Sequence, residues 1–134
     1  MAFILPAARR RPRTLGVNNG RLAACPNSPN CVSSQALRPD ARVEPFGFRG
    51  DPARAFASLI EVVRAHPKAE LVTAGDDYLH AEFRAMFFID DFEAYLPAGA
   101  QHIEVRSASR IGHSDLGANA RRVEALRAAF SSRQ

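Results

Sequence analysis

Residues 101–110 place the tightest limit on how this chain can fold. In QHIEVRSASR, Ile103 and Val105 share one phase with Ser107 and Ser109, while His102, Glu104, Arg106 and Arg110 take the other. A period of two marks a strand with one face turned inward. Along this strand the inward face changes from aliphatic to hydroxyl. The period then changes. Leu116, Ala120, Val123, Leu126 and Phe130 recur at helical spacing, with Ser114 or Asp115 as the cap. Helical geometry puts Asn119 inside that stripe. A buried amide without partners costs roughly 1–3 kcal/mol, and Ser107 and Ser109 are the partners on offer if the helix folds back over the strand. Those three residues are therefore expected to form one polar cluster at the strand–helix junction. Gly112 and Gly117 let backbone approach closely there.

The preceding segments supply the rest of a sheet. Tyr78 to Arg84 alternates, with Leu79, Ala81 and Phe83 on one face and His80, Glu82 and Arg84 on the solvent side. Ala69 to Ala74 has strand character and ends at the Gly75-Asp76-Asp77 turn. Met86 to Leu96 is less regular, and a bulge near Asp90-Asp91 would bring its halves into phase. Short turns imply antiparallel pairing. Asp51-Pro52 opens a helix with Phe56, Leu59, Ile60 and Val63 on its stripe, closed by His66-Pro67. In the last turn of that helix, His66 suits the dipole and is structural. The expected fold is α+β: about four antiparallel strands covered on one face by two helices, with an irregular, proline-rich N-terminal lobe that holds at most a short edge strand. Residues 1–14 form a flexible basic arm and residues 15–134 a single globular domain.

Charge distribution narrows the partners. The net charge of +4 resides in the arm, where Arg9, Arg10, Arg11 and Arg13 stand without an acid. From residue 15 the chain balances, but unevenly: residues 61–96 hold three basic and eight acidic side chains, residues 101–134 six basic and three acidic. Such halves pair with each other rather than lay down a phosphate-binding track, so nucleic acid is a poor partner. No apolar run approaches the ~20 residues of a membrane span. The arm places its apolar patch, Phe3 to Leu5, before its basic run, the reverse of a secretory signal. The cytoplasm is favoured on that ground. Leu22-Ala23-Ala24-Cys25 looks like a lipoprotein cleavage box but lacks the apolar stretch such a box requires.

Seven of the nine prolines lie within residues 1–52. Cys25-Pro-Asn-Ser-Pro-Asn-Cys31 sits among them. Two cysteines around turns suit a structural pair, oxidised or reduced according to compartment. They fall short of a zinc site, which needs about four ligands, and the four histidines are scattered singly. No metal or other cofactor is expected.

Several segments together carry a family likeness: LGVNNGRLAACPNSPNCVSSQ, YLHAEFR, DDFEAYL and RSASRIGHSDLGANARRVEALR. The sequence resembles, over about residues 15–130, the uncharacterised family called domain of unknown function 1499, found in bacteria and plant plastids. The resemblance implies a small α+β domain and no established activity. Some relatives carry N-terminal membrane or export segments, so localisation does not transfer.

The candidate site combines Arg106, Arg110 and Arg122 with Asn119, opposite Asp90 and Asp91, under the Cys25–Cys31 lobe as a lid. Arginine is the side chain best matched to carboxylate or phosphate. The leading function is a non-enzymatic binding domain for a small anionic ligand or a protein partner, using this arginine-rich strand–helix junction. Two rivals stand beside it. One is an enzyme with Asp90, Asp91 or Glu93 as acid/base; the same carboxylates also invite a divalent cation or plain arginine pairing on a solvated strand face. The other is an accessory factor of a membrane or photosynthetic complex, by analogy alone.

Overall fold

Asp51 and Pro52 start the first helix as their chemistry requires. In the computed structural model, which describes residues 10–85, 87–112 and 114–134, the Asp51 carboxylate accepts the Arg54 N–H at 3.0 Å. Helix α1 runs Pro52–Ala65 and buries Phe56, Leu59, Val62 and Val63. His66 is its C-cap, because the residue before a proline leaves the helical region. Its ring meets the edge of Phe83 at 5.0 Å. Burial, then the charges of Arg122 and Lys68, push its pKa down. His66 is therefore a neutral packing residue and not a charged cap.

Among the described residues the sheet has six strands. β1 is Cys31–Ser33 and β2 Phe46–Gly47; β3 is Ala69–Ala74, β4 Tyr78–Ala85, β5 Phe88–Tyr95 and β6 His102–Ser109. Their order is β1-β6-β5-β4-β3, with β2 also on β6, and all pairs are antiparallel. The two strands beyond the expected four come from the proline-rich lobe. They lie on the edge of β6 that would otherwise expose unpaired backbone groups, with Val32 opposite Ser107 and Phe46 opposite Ile103. Pairs this short leave no periodic signal in a sequence.

Helix α2 runs Ala118–Ser131. Both helices lie on one face of the sheet. Phe56, Leu59, Val63, Val123, Leu126 and Phe130 pack there against Phe83, Phe92, Ile103 and Val105. Among the described residues no helix is long and apolar enough to cross a membrane.

Three sequence expectations need correction, and one cause explains two of them. The polar face of β4 and β5 is not solvated. His80, Glu82, Asp91 and Glu93 are all buried, because residues 10–24 run across that face. β5 needs no bulge at Asp90-Asp91 either: its register with β4 is unbroken from Tyr95 to Phe88. With both faces covered, a strand need not alternate apolar with polar. The irregularity lies instead between Leu71 and Thr73 of β3. The third correction concerns Leu116, which does not belong to the helix stripe. It lies outside α2 and is 84% exposed.

Candidate functional site

The strand phase of β6 divides the candidate residues between two sides of the sheet. Ser107 and Ser109 point toward the helices, Arg106 and Arg110 away from them. A single site holding all three arginines therefore does not form. One group gathers at the junction of β6 with α2, the other beneath the N-terminal residues.

At the junction, Asn119 is fully buried. Its side-chain oxygen accepts from the Ser107 hydroxyl at 2.6 Å and from Arg122 Nη1 at 2.9 Å. Its Nδ2 donates to Ser109 Oγ at 2.9 Å, to Asp115 Oδ2 at 2.6 Å and to the Asn30 carbonyl at 3.2 Å. The expected cluster of Ser107, Ser109 and Asn119 is present. The helix start differs from expectation in detail: Gly117, in the left-handed region, occupies the cap position. Asp115 serves from two residues upstream, accepting the N–H groups of Gly117 and Asn119 at 2.7 and 3.1 Å. Burial pushes the Asp115 carboxyl up, but the Asn119 side chain and these N–H groups outweigh it and hold it low. Arg122 completes the group through Asp90 at 2.9 Å, with its guanidinium 4.8 Å over the Phe83 ring.

A cleft of about 260 Å³ opens beside this cluster. Phe88, Ile111 and Leu116 line it together with Asp90, Ser109 and Arg122. Leu116 holds a backbone φ of +54°, which costs a non-glycine residue roughly 1–2 kcal/mol. A large apolar side chain kept both strained and exposed has no packing reason to be there. Leu116→Gly is expected to raise unfolding stability by about 0.5–1 kcal/mol in urea titrations. An unchanged or lower midpoint would show that the strain is not real.

The Cys25–Cys31 disulfide is formed. Its loop buttresses the junction, and Arg106 Nη2 donates to the carbonyl of Ala24, just before the loop, at 3.4 Å. The Asn30 carbonyl accepts from Ser109 N–H at 3.0 Å, and Asn30 Nδ2 donates to the Gly112 carbonyl at 2.7 Å. Closing so short a loop restricts the unfolded chain by about 2 kcal/mol in the chain-entropy model. The Cys25→Ser/Cys31→Ser variant should lose about that much stability, and reduction of the native protein should match it.

On the other side of the sheet the charges pair densely. Arg110 donates through Nε and Nη2 to the two Asp91 oxygens, both at 2.8 Å, and through Nη2 to Glu82 at 2.5 Å. His80 Nε2 lies 2.6 Å from Asp91 Oδ1. Arg11 closes on Glu82 at 2.9 Å. Burial alone would raise the Asp91 and Glu82 carboxyls. Arg110 with His80 at Asp91, and Arg11 with Arg110 at Glu82, outweigh that, and both are held below their usual range. Glu93, with no exposed surface, accepts from the Gly16 N–H at 2.7 Å and the Tyr78 hydroxyl at 2.6 Å. Burial, then Glu93, pushes the Tyr78 pKa well up. Arg106 stands 3.7 Å from Glu93, and burial lowers its pKa despite that carboxylate. Neither Arg106 Nε nor Glu93 Oε1 has a hydrogen-bond partner among the described residues.

A family model described as a protein of unknown function (DUF1499) matches residues 21–130. The chain belongs to that family. No curated protein and no solved structure matches it. The DUF1499 match takes in both polar groups except Arg11 and Gly16, which reach the sheet from upstream of it.

Sequence reasoning missed several residues at these sites. Glu82, His80 and Tyr78 were assigned to solvent or passed over, because nothing local indicates that residues 10–24 cover them. Phe87 and Phe88 carried a usable signal: two phenylalanines next to a turn, where burial is hard to arrange. Leu116 carried another, since it directly precedes Gly117 at the helix start.

Proposed function

We propose that this domain is a non-enzymatic binding module that takes a small anionic ligand with an apolar body in the cleft at the strand–helix junction. The observation that carries this is the composition of the cleft. Arg122, its side chain 13% exposed, lies at one side with the Ser109 hydroxyl, while Phe88, Ile111 and Leu116 supply apolar walls. Small-molecule sites are concave, mostly apolar and carry a few placed polar groups. A ligand carboxylate would share the Arg122 guanidinium with Asp90, and the apolar body would cover Leu116.

Of the three carboxylates in the acid/base alternative, Asp90 and Asp91 give it little support. Asp91 is engaged by Arg110 and His80, and Asp90 by Arg122. Asp91 is held ionised rather than poised near neutrality, the opposite of what a general base requires.

Thermal unfolding of the full chain, with octanoate set against inorganic phosphate and sugar phosphates at matched ionic strength, tests the proposal. Octanoate is expected to raise the melting temperature, since a ligand that binds only the native state stabilises it. Arg122→Gln should abolish that rise. If no anion shifts the wild-type transition, while Arg122→Gln merely destabilises the protein, the arginine is structural and the proposal fails.

A further inference from the structure

The two ends of the sheet differ sharply in what they expose. At the end where β4 turns into β5, Phe87 and Phe88 are each 46% exposed, and Leu116 protrudes from the loop before α2. Of the other large apolar side chains exposed among the described residues, Val17 and Leu37 lie on the lobe. Phe88 and Leu116 line the same cleft, and Phe87 precedes Phe88 at the same strand end. Exposed apolar side chains that gather in one place mark an interaction surface.

Charge at this end is layered. The carboxylates of Glu82, Asp90 and Asp91 are buried and matched by arginines. Asp115 is occupied at the start of α2. The cations lie outermost. Arg84 is about half exposed, and its N–H bonds the carbonyl of exposed Lys68. Arg121, also exposed, reaches the Leu116 carbonyl at 2.8 Å. Arg11, over half exposed, is brought to Glu82 by the arm. Arg84 lies 3.7 Å from exposed Glu70 and 3.3 Å from buried Glu82.

From this arrangement we infer that the end of the sheet formed by the β4–β5 turn and the loop before α2 docks on an anionic lipid bilayer. The separate, protruding apolar side chains enter the interfacial layer, and Lys68, Arg84, Arg121 and Arg11 meet the headgroups. Apolar insertion and basic attraction add in such contacts, and each cation near an anionic surface strengthens binding roughly five-fold. A bilayer suits this surface better than a folded partner because exposed cations accompany the exposed apolar side chains, with Arg121 on the Leu116 carbonyl, while Glu82, Asp90 and Asp91 are buried. The inference goes beyond ligand binding in the cleft and does not depend on it.

Sedimentation of the full chain with vesicles of 70% phosphatidylcholine and 30% phosphatidylglycerol tests it. Wild type is expected to bind at low salt and to release as salt rises through one Debye-length regime into the next. Neutral vesicles should retain far less. Phe87→Glu combined with Lys68→Glu should weaken binding by roughly ten-fold or more. Neither residue lines the cleft, so the octanoate response of that variant should be unchanged, and an unchanged melting temperature confirms that it is folded. Conversely, Arg122→Gln should lose the octanoate response and keep vesicle binding. If wild type does not bind anionic vesicles, or if the Phe87/Lys68 variant binds as wild type does, the inference is overturned and the patch is left to a protein partner.

Discussion

Asn119→Leu should destabilise the protein by about 3 kcal/mol or more, although it exchanges a polar side chain at a fully buried site for an apolar one of similar size. The amide serves five partners at once: Ser107, Ser109, Asp115, Arg122 and the Asn30 carbonyl. Removing it strands buried groups, and each one left unsatisfied costs roughly 1–3 kcal/mol. Some will find other partners, since Ser107 and Arg122 lie 3.3 Å apart, so the sum is not additive. Urea titration reads the effect directly. A loss below about 1 kcal/mol would mean the cluster is incidental to the fold. Asn119→Asp distinguishes polarity from donation. It retains an acceptor for Ser107 and Arg122 but loses the donor to Asn30 and faces Asp115, so it too should destabilise, and most at neutral pH.

The second large effect is expected at Arg110. Arg110→Met removes the cation between Asp91 and Glu82, two buried carboxylates. Breaking a buried ion pair by removing one partner costs about 3–5 kcal/mol, and that loss is expected at pH 7. Its pH dependence is diagnostic. In wild type both carboxyls have depressed folded-state pKa values. The stability they contribute is fully present above their unfolded values of roughly 4 and is lost as pH falls through the folded values below that. Without Arg110 both carboxyls lose a cation that opposes burial; Arg11 still holds Glu82, so it is the Asp91 value that is expected to rise above its unfolded one. Stability of the variant should therefore increase as pH falls from 7 toward 5, where wild type changes little. The deficit should narrow with acidification. A deficit constant between pH 5 and 7 would show that Arg110 contributes packing and not charge. His80 Nε2, 2.6 Å from Asp91 Oδ1, stays in place as a partner in the variant and moderates the effect.

These two residues also show how far a sequence reaches. Asn119 was legible. A helical stripe interrupted by an amide, after a strand whose inward face turns to hydroxyl, leaves few ways to satisfy that amide. Arg110 was half legible. Its pairing with an acidic strand followed from charge balance, and β5 and β6 are neighbours with Asp91 opposite Ala108. Its separation from Arg122 was missed. Period two sends Arg106 and Arg110 to the face opposite Ser107, while Arg122 descends from the helix layer. Keeping those layers apart in the sequence-based assignment would have divided the site.

The start of α1, the turns, the phases of β4 and β6 and the contacts of Ser107 and Ser109 with Asn119 were set within short stretches, by capping, proline sterics and side-chain period, and so the sequence alone determined them. Tertiary structure decided what no local pattern encodes: that the proline-rich lobe adds two strands to β6, that residues 10–24 bury an ionic face which alternation alone would assign to water, and that Phe88 and Leu116 line one cleft. The physical reason is the same in each case. Burial belongs to pairs of surfaces distant in sequence, and the Arg11–Glu82 contact joins residues 71 positions apart.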